Sequence, residues 1–148
     1  LRKIDQKRLV VWAGNSILIA YSLQKKTFMK DVERFRREIG TYTGSSHFFR
    51  HPMFPNYLYT EGVKFMADTL EAYWLIDHVM ALQLEAPLRN YRFQVWEIQV
   101  RADTSATITA TNRAGRVIKT TEFELTDFPL ASFTLWWNQQ LLLLPRED

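Results

Sequence analysis

The stretch "TEGVKFMADTLEAYWLIDHVMALQLEAPLRNYRFQVWEIQV", residues 60–100, changes its hydrophobic period partway. At about 100° per residue, Val63, Met66, Ala67, Leu70, Trp74, Asp77 and Ala81 share one stripe of a helix about 100° wide. Lys64, Asp68 and Glu71 fall off that stripe. One long central helix is therefore predicted over 60–83, with Thr60 able to cap it and Pro87 closing it. From residue 91 the period becomes two, with Trp96, Ile98 and Val100 on one face of a strand.

Toward the C-terminus the strand signals continue. "SATITATNR" (105–113) is rich in β-branched residues, and "RVIKTTEFEL" (116–125) alternates with Val117, Phe123 and Leu125 in phase. Residues 112–115 and 103–104 read as hairpin connections. "SFTLWW" and "QLLLLP" flank Asn138 and Gln139 as a last hairpin. Toward the N-terminus, "MKDVERFRREIG" (29–40) spaces Val32, Phe35 and Ile39 as a short amphipathic helix stopped by Gly40. Pro52 and Pro55 make 41–60 a loop. The expected fold is α+β, with two or three N-terminal helices packed on one face of an antiparallel meander of about five strands.

Composition limits the chemistry. The 148 residues are 47% hydrophobic and contain no cysteine. That excludes disulfides, thiol catalysis and thiolate metal sites, and fits a reducing cytoplasm. The pI of 9.3 suggests nucleic acid, but the charge is unevenly placed. Residues 1–28 carry six bases and one acid, whereas 29–148 carry thirteen bases and fifteen acids. A basic footprint would have to come from the N-terminal segment alone, so nucleic acid is not expected as a partner.

In that segment, "LVVWAGNSILIAYSL" (9–23) is apolar but short of the roughly 20 residues of a spanning helix. Gly14, Asn15 and Ser16 interrupt it. Residues 1–28 read as an extension not native to the domain, as an element packed on it, or as a membrane anchor. The domain itself is taken as 29–148, opening at Met29.

"TGSSHFFRH", "YTEGVKFMADTLEAYWLIDHV", "TDFPL" and "LLLLPRED" occur in that order. Together they resemble an uncharacterised bacterial domain-of-unknown-function family (DUF 6876-like), over roughly residues 29–147. The resemblance implies a bacterial protein starting near Met29 and brings no activity with it. Ser45 stands where the family pattern has threonine and Glu61 where it has aspartate. Arg146 and Asp148 replace a serine and a tyrosine around Glu147, which is read as weakening any role for the terminus.

Asp77 is the candidate that matters most for chemistry. A carboxylate on an apolar stripe must be paired, hydrogen-bonded or protonated. Arg50 or His51 from the preceding loop can reach it. The cluster His51, Asp77 and Arg50, with Asp127 of "TDFPL", is either an acid/base site or a polar pin. His78 lies near the polar edge of its helix and reads as solvated. His47, His51 and His78 do not have a metal-ligand spacing, so no metal and no cofactor is expected. Trp136 and Trp137, adjacent in a strand, point to opposite faces. With Phe48, Phe49 and Tyr59 they are the candidates for a binding surface. The Gly-rich, nucleophile-elbow and zinc patterns are all absent.

The expected role is a small cytoplasmic bacterial domain without catalysis, acting on an unknown protein partner or by self-association. The alternatives are a hydrolase-like acid/base enzyme using His51, Asp77 and Arg50, and a membrane-associated protein held by residues 9–23.

Overall fold

The computed structural model describes residues 31–148. The expectations for residues 1–28, including the apolar run 9–23, lie outside the described residues. Residues 31–38 are helical (α1) and bury Val32 and Phe35, as the spacing of "VERF" requires. Strands β1 (Phe48–Arg50) and β2 (Leu58–Thr60) follow, then helices α2 (Glu61–Leu70) and α3 (Tyr73–Leu82). Strands β3 (Phe93–Val100), β4 (Ala106–Thr111), β5 (Val117–Phe123), β6 (Ser132–Asn138) and β7 (Leu141–Leu143) complete the chain.

The α+β class holds, but the expected five-stranded meander becomes a seven-stranded mixed sheet in the order β1-β2-β7-β6-β3-β4-β5. The two added strands come from 41–60, which the prolines had marked as loop. Pro52 and Pro55 lie in the connection between β1 and β2 and leave three residues on each side free to pair, Phe48 with Thr60 and Arg50 with Leu58. β2 then runs parallel to β7, pairing Tyr59 with Leu142. Two helices thus lie between strands rather than ahead of the whole sheet.

The long helix predicted over 60–83 is two helices. Glu71 adopts a left-handed conformation (φ 50, ψ 47) and ends α2, its N–H returning to the Ala67 carbonyl. Ala72, fully buried, starts α3. The break shifts the phase. α2 buries Val63, Met66, Ala67 and Leu70, as its stripe predicts, but α3 buries Leu75, Ile76, Val79 and Met80.

The sheet is two-sided. Gln94, Trp96 and Ile98 of β3, Ala106, Ile108 and Ala110 of β4, and Leu135 and Trp137 of β6 are buried toward the helices. Val95, Glu97, Thr107, Thr109, Thr134 and Trp136 alternate with them and stay half-exposed. In β5 the predicted phase fails. A register shift at Ala110/Thr111 leaves Val117 exposed, and Leu125 lies beyond the strand. The β4–β5 hairpin turns as expected, Asn112 Oδ1 accepting from the N–H groups of Ala114 and Arg116. The last hairpin turns on Gln139 and Gln140, both at positive φ.

Candidate functional site

Three polar constructions lie where the β1–β2 hairpin, the helices and the C-terminus meet. The first is built on His51, just past β1. The residue is 3% exposed, and its ring lies tilted against Phe54 with 4.9 Å between centroids. Nδ1 faces the backbone N–H groups of Met53 and Phe54 at 3.1 and 3.3 Å. It must accept from both, so the proton sits on Nε2 and is donated to Asp77 Oδ1 at 2.6 Å. Both ring nitrogens are committed. The imidazole holds the Met53–Phe54 turn on one side and α3 on the other.

The pairing of His51 with Asp77 is thus as the sequence suggested, but the burial is reversed. The imidazole is the buried partner, and the Asp77 side chain is 61% exposed. The phase break at Glu71 turns Asp77 off the apolar stripe. Arg50 does not join them. It donates to the Pro55 carbonyl within its own hairpin.

The second construction was missed by the sequence reading. Glu147, in the terminal segment, places its carboxylate over the start of α2. Oε1 accepts from Ser45 Oγ at 3.1 Å and from the Gly62 N–H at 3.0 Å. Oε2 accepts from Thr60 Oγ1 at 2.5 Å and the Leu144 N–H at 2.9 Å. The hydroxyls relay further, Ser45 Oγ accepting from the Glu61 N–H and Thr60 Oγ1 from the Val63 N–H. The first turn of α2 is capped throughout, and an anion sits where the helix dipole favours one. The replacements at Arg146 and Asp148 leave this carboxylate in place, so the terminus is not weakened. Two signals were available: the glutamate kept between altered neighbours, and Gly62, a poor helix residue in a first turn.

The third is a surface cluster of α2 and α3. Lys64 Nζ bonds Asp68 at 2.6 Å and lies 5.5 Å above the Phe49 ring. Tyr73 donates its hydroxyl to the other Asp68 oxygen. Burial pushes the Asp68 carboxyl up, but the bonds from Lys64 and Tyr73 outweigh it and the net shift is downward. Tyr73 is raised by burial and then by its bond to Asp68. Tyr59, 8% exposed and stacked on Phe49, is raised by burial, opposed by Lys64, and raised again by Asp68 and Asp77.

The remaining candidates are dispersed. Phe48 is exposed, whereas Trp137 is buried against Tyr57. Trp136 is half-exposed on the opposite sheet face, its ring 5.3 Å from Phe93. Asp127 is exposed on "TDFPL", where Thr126 Oγ1 accepts the Phe128 N–H and Phe128 enters the core.

His78 is only half-exposed rather than fully solvated. It packs edge-on to Phe123 and Trp96, and Nε2 is buried without a hydrogen bond among the described residues. Desolvation lowers its proton affinity, Lys119 adds to that, and Glu85 opposes it. His47 faces Glu61 at 3.0 Å. Among the described residues no group of three or more His, Asp or Glu side chains could hold a metal, and no helix is long and apolar enough to cross a membrane.

No curated protein and no solved structure matches the chain. The three segments that meet at Glu147, "TGSS", "YTEG" and "LPRE", carry the same motifs by which the sequence resembled a family. That family's match runs over residues 33–148, and the chain belongs to the family of unknown function DUF6876.

Proposed function

We propose that the protein is a non-catalytic protein-interaction domain whose contact surface is the sheet face carrying Trp136. One observation carries this reading. The helix side of the sheet is filled, while the other side leaves Trp136 and Phe93 half-exposed as an aromatic pair, with Arg113 over the Phe93 ring at 4.6 Å and exposed Val117 nearby in the pairing register. Aromatic residues and arginine on an otherwise polar face are the composition of a contact patch.

The acid/base alternative finds little support. A general base needs a lone pair open to substrate, and both nitrogens of His51 are taken. Self-association by strand pairing at β5 is also disfavoured, because Lys119 pairs with buried Ala110 on the helix side and a register irregularity bends the edge. Both are devices that blunt open edges.

The test is recovery of the tagged full chain from its own cells, wild type against Trp136→Glu. The reading expects a protein recovered with wild type and lost with the variant, at unchanged melting temperature. Identical recovery from both would reject the Trp136 face.

A further inference from the structure

We propose that the Trp136 face of the sheet packs on the same face of a second copy of this chain, across a two-fold axis that sets Arg113 of each copy against Glu97 of the other. The inference rests on the interaction reading and names the occupant of that surface.

Strand register fixes what the face presents. Val95 pairs with Trp136, and Trp136 with Leu143, so the three share one row across β3, β6 and β7. Phe93 and Glu97 lie on the same face of β3, two residues before and two residues after Val95. They therefore stand about 7 Å on either side of that row. The Phe93 ring meets Trp136 edge-on, and the Arg113 guanidinium lies over it at 4.6 Å.

The charges of the face are matched in one place and left over in two. Arg101 and Glu122, 3.0 Å apart, neutralise one another at the end away from Phe93. Arg113 is exposed and Glu97 half-exposed, and neither has an ion-pair partner among the described residues. Glu97 accepts from the side-chain amide of Gln99 on its own strand. An unmatched cation and an unmatched anion thus flank the Val95–Trp136 row along β3, one at each side.

That placement is self-complementary. A two-fold axis along the row, in the plane between two stacked sheets, carries the Phe93 end of one copy over the Glu97 end of the other. Arg113 then meets Glu97 twice, as an isologous contact requires, and Trp136 meets Trp136 at the centre. Sheets stacked face to face sit about 10 Å apart, a gap that two layers of side chains fill. An aromatic centre ringed by charge pairs is the anatomy of a protein interface. A nucleic acid or an anionic membrane would meet Glu97 as a like charge.

The experiment is sedimentation equilibrium of the full chain at rising concentration, with Trp136→Glu, Arg113→Glu and Glu97→Arg beside it. Circular dichroism checks that each variant is folded. The wild type is expected to dimerise, and each variant to raise the dissociation constant about tenfold or more, as an unpaired or like-charge contact does. The decisive sample is an equimolar mixture of Arg113→Glu and Glu97→Arg. The first variant has acids at both contact points and the second has bases at both, so the mixture should regain the dimer that neither forms alone. Damage to the fold by either substitution would not be rescued by mixing. A wild type that stays monomeric up to about millimolar concentration, where specific association fades, overturns the proposal. So does a dimer indifferent to Trp136→Glu, or a mixture that stays monomeric. A monomer whose partner recovery is still lost in Trp136→Glu gives the face to a different polypeptide, which sinks the second copy and leaves the interaction reading standing. A monomer with identical recovery sinks both.

Discussion

At Gly62 a single missing Cβ decides whether the C-terminus can close on α2. A Cβ there would lie 2.5 Å from Leu144 Cδ1 and 2.6 Å from Glu147 Oε1. Neither approach is tolerable, so Gly62→Ala must displace the carboxylate that caps the helix. We expect that variant to lose about 1–3 kcal/mol, the range for forcing extra volume into a packed site. Glu147→Gln keeps the shape but sets an NH2 group against hydroxyl and N–H donors. It should lose about 1.5–3 kcal/mol, as for broken bonds to a charged group. Because both substitutions act on one contact, the double variant should lose clearly less than the two together. Urea denaturation of the four proteins measures this, and strict additivity would show that the glycine and the carboxylate are unrelated.

At the scale of the element, the break between α2 and α3 is what turns Asp77 outward and Leu75, Ile76, Val79 and Met80 inward. It depends on Glu71 holding φ 50, a conformation that costs a side chain energy and costs glycine none. Glu71→Gly should therefore raise stability by about 0.5–1 kcal/mol, and Glu71→Val should lower it. Thermal melts decide the matter. A loss of stability in the glycine variant would mean that the break is not held by backbone conformation at this residue. The same break marks the limit of what the sequence could show. Glu71 and Ala72 are good helix formers, so nothing local announces the end of α2, and tertiary packing of Ala72 overrides propensity. β3, β4 and β6 were legible because they are long enough for alternation to emerge. β1 and β2, at three residues each, are too short to show a period, and the prolines between them masked the hairpin. The His51–Asp77 pair could be foreseen from residue types alone, but its burial could not, since that required the phase. Glu147 was hidden for a different reason: its donors come from positions 45, 60, 62 and 144, and only the fold brings them together.

Across the whole molecule the sheet has two unequal parts. β6, β3, β4 and β5 are six to eight residues long and bury Trp96, Ile98, Ile108 and Leu135 between them and the helices. β1, β2 and β7 have three residues each and pair weakly on their own. The short part joins the long one through the pairing of β7 with β6, from Asn138 with Leu141 to Trp136 with Leu143, closed by the turn at Gln139–Gln140; the His51–Asp77 bond ties the β1–β2 hairpin to α3, and the Glu147 carboxylate ties it to α2. Proteins open first where few long-range contacts must be broken. Amide exchange should accordingly be fastest in β1, β2 and β7 through a sub-global opening, and slowest in β3 and β4. Glu147→Gln should accelerate exchange in the short strands and at the start of α2, because it removes one tether of that part. It should leave the slowest β3 amides governed by global unfolding alone. If instead all strands of the variant lose protection in the same proportion, the sheet unfolds as one unit and the terminal carboxylate stabilises the whole rather than one edge.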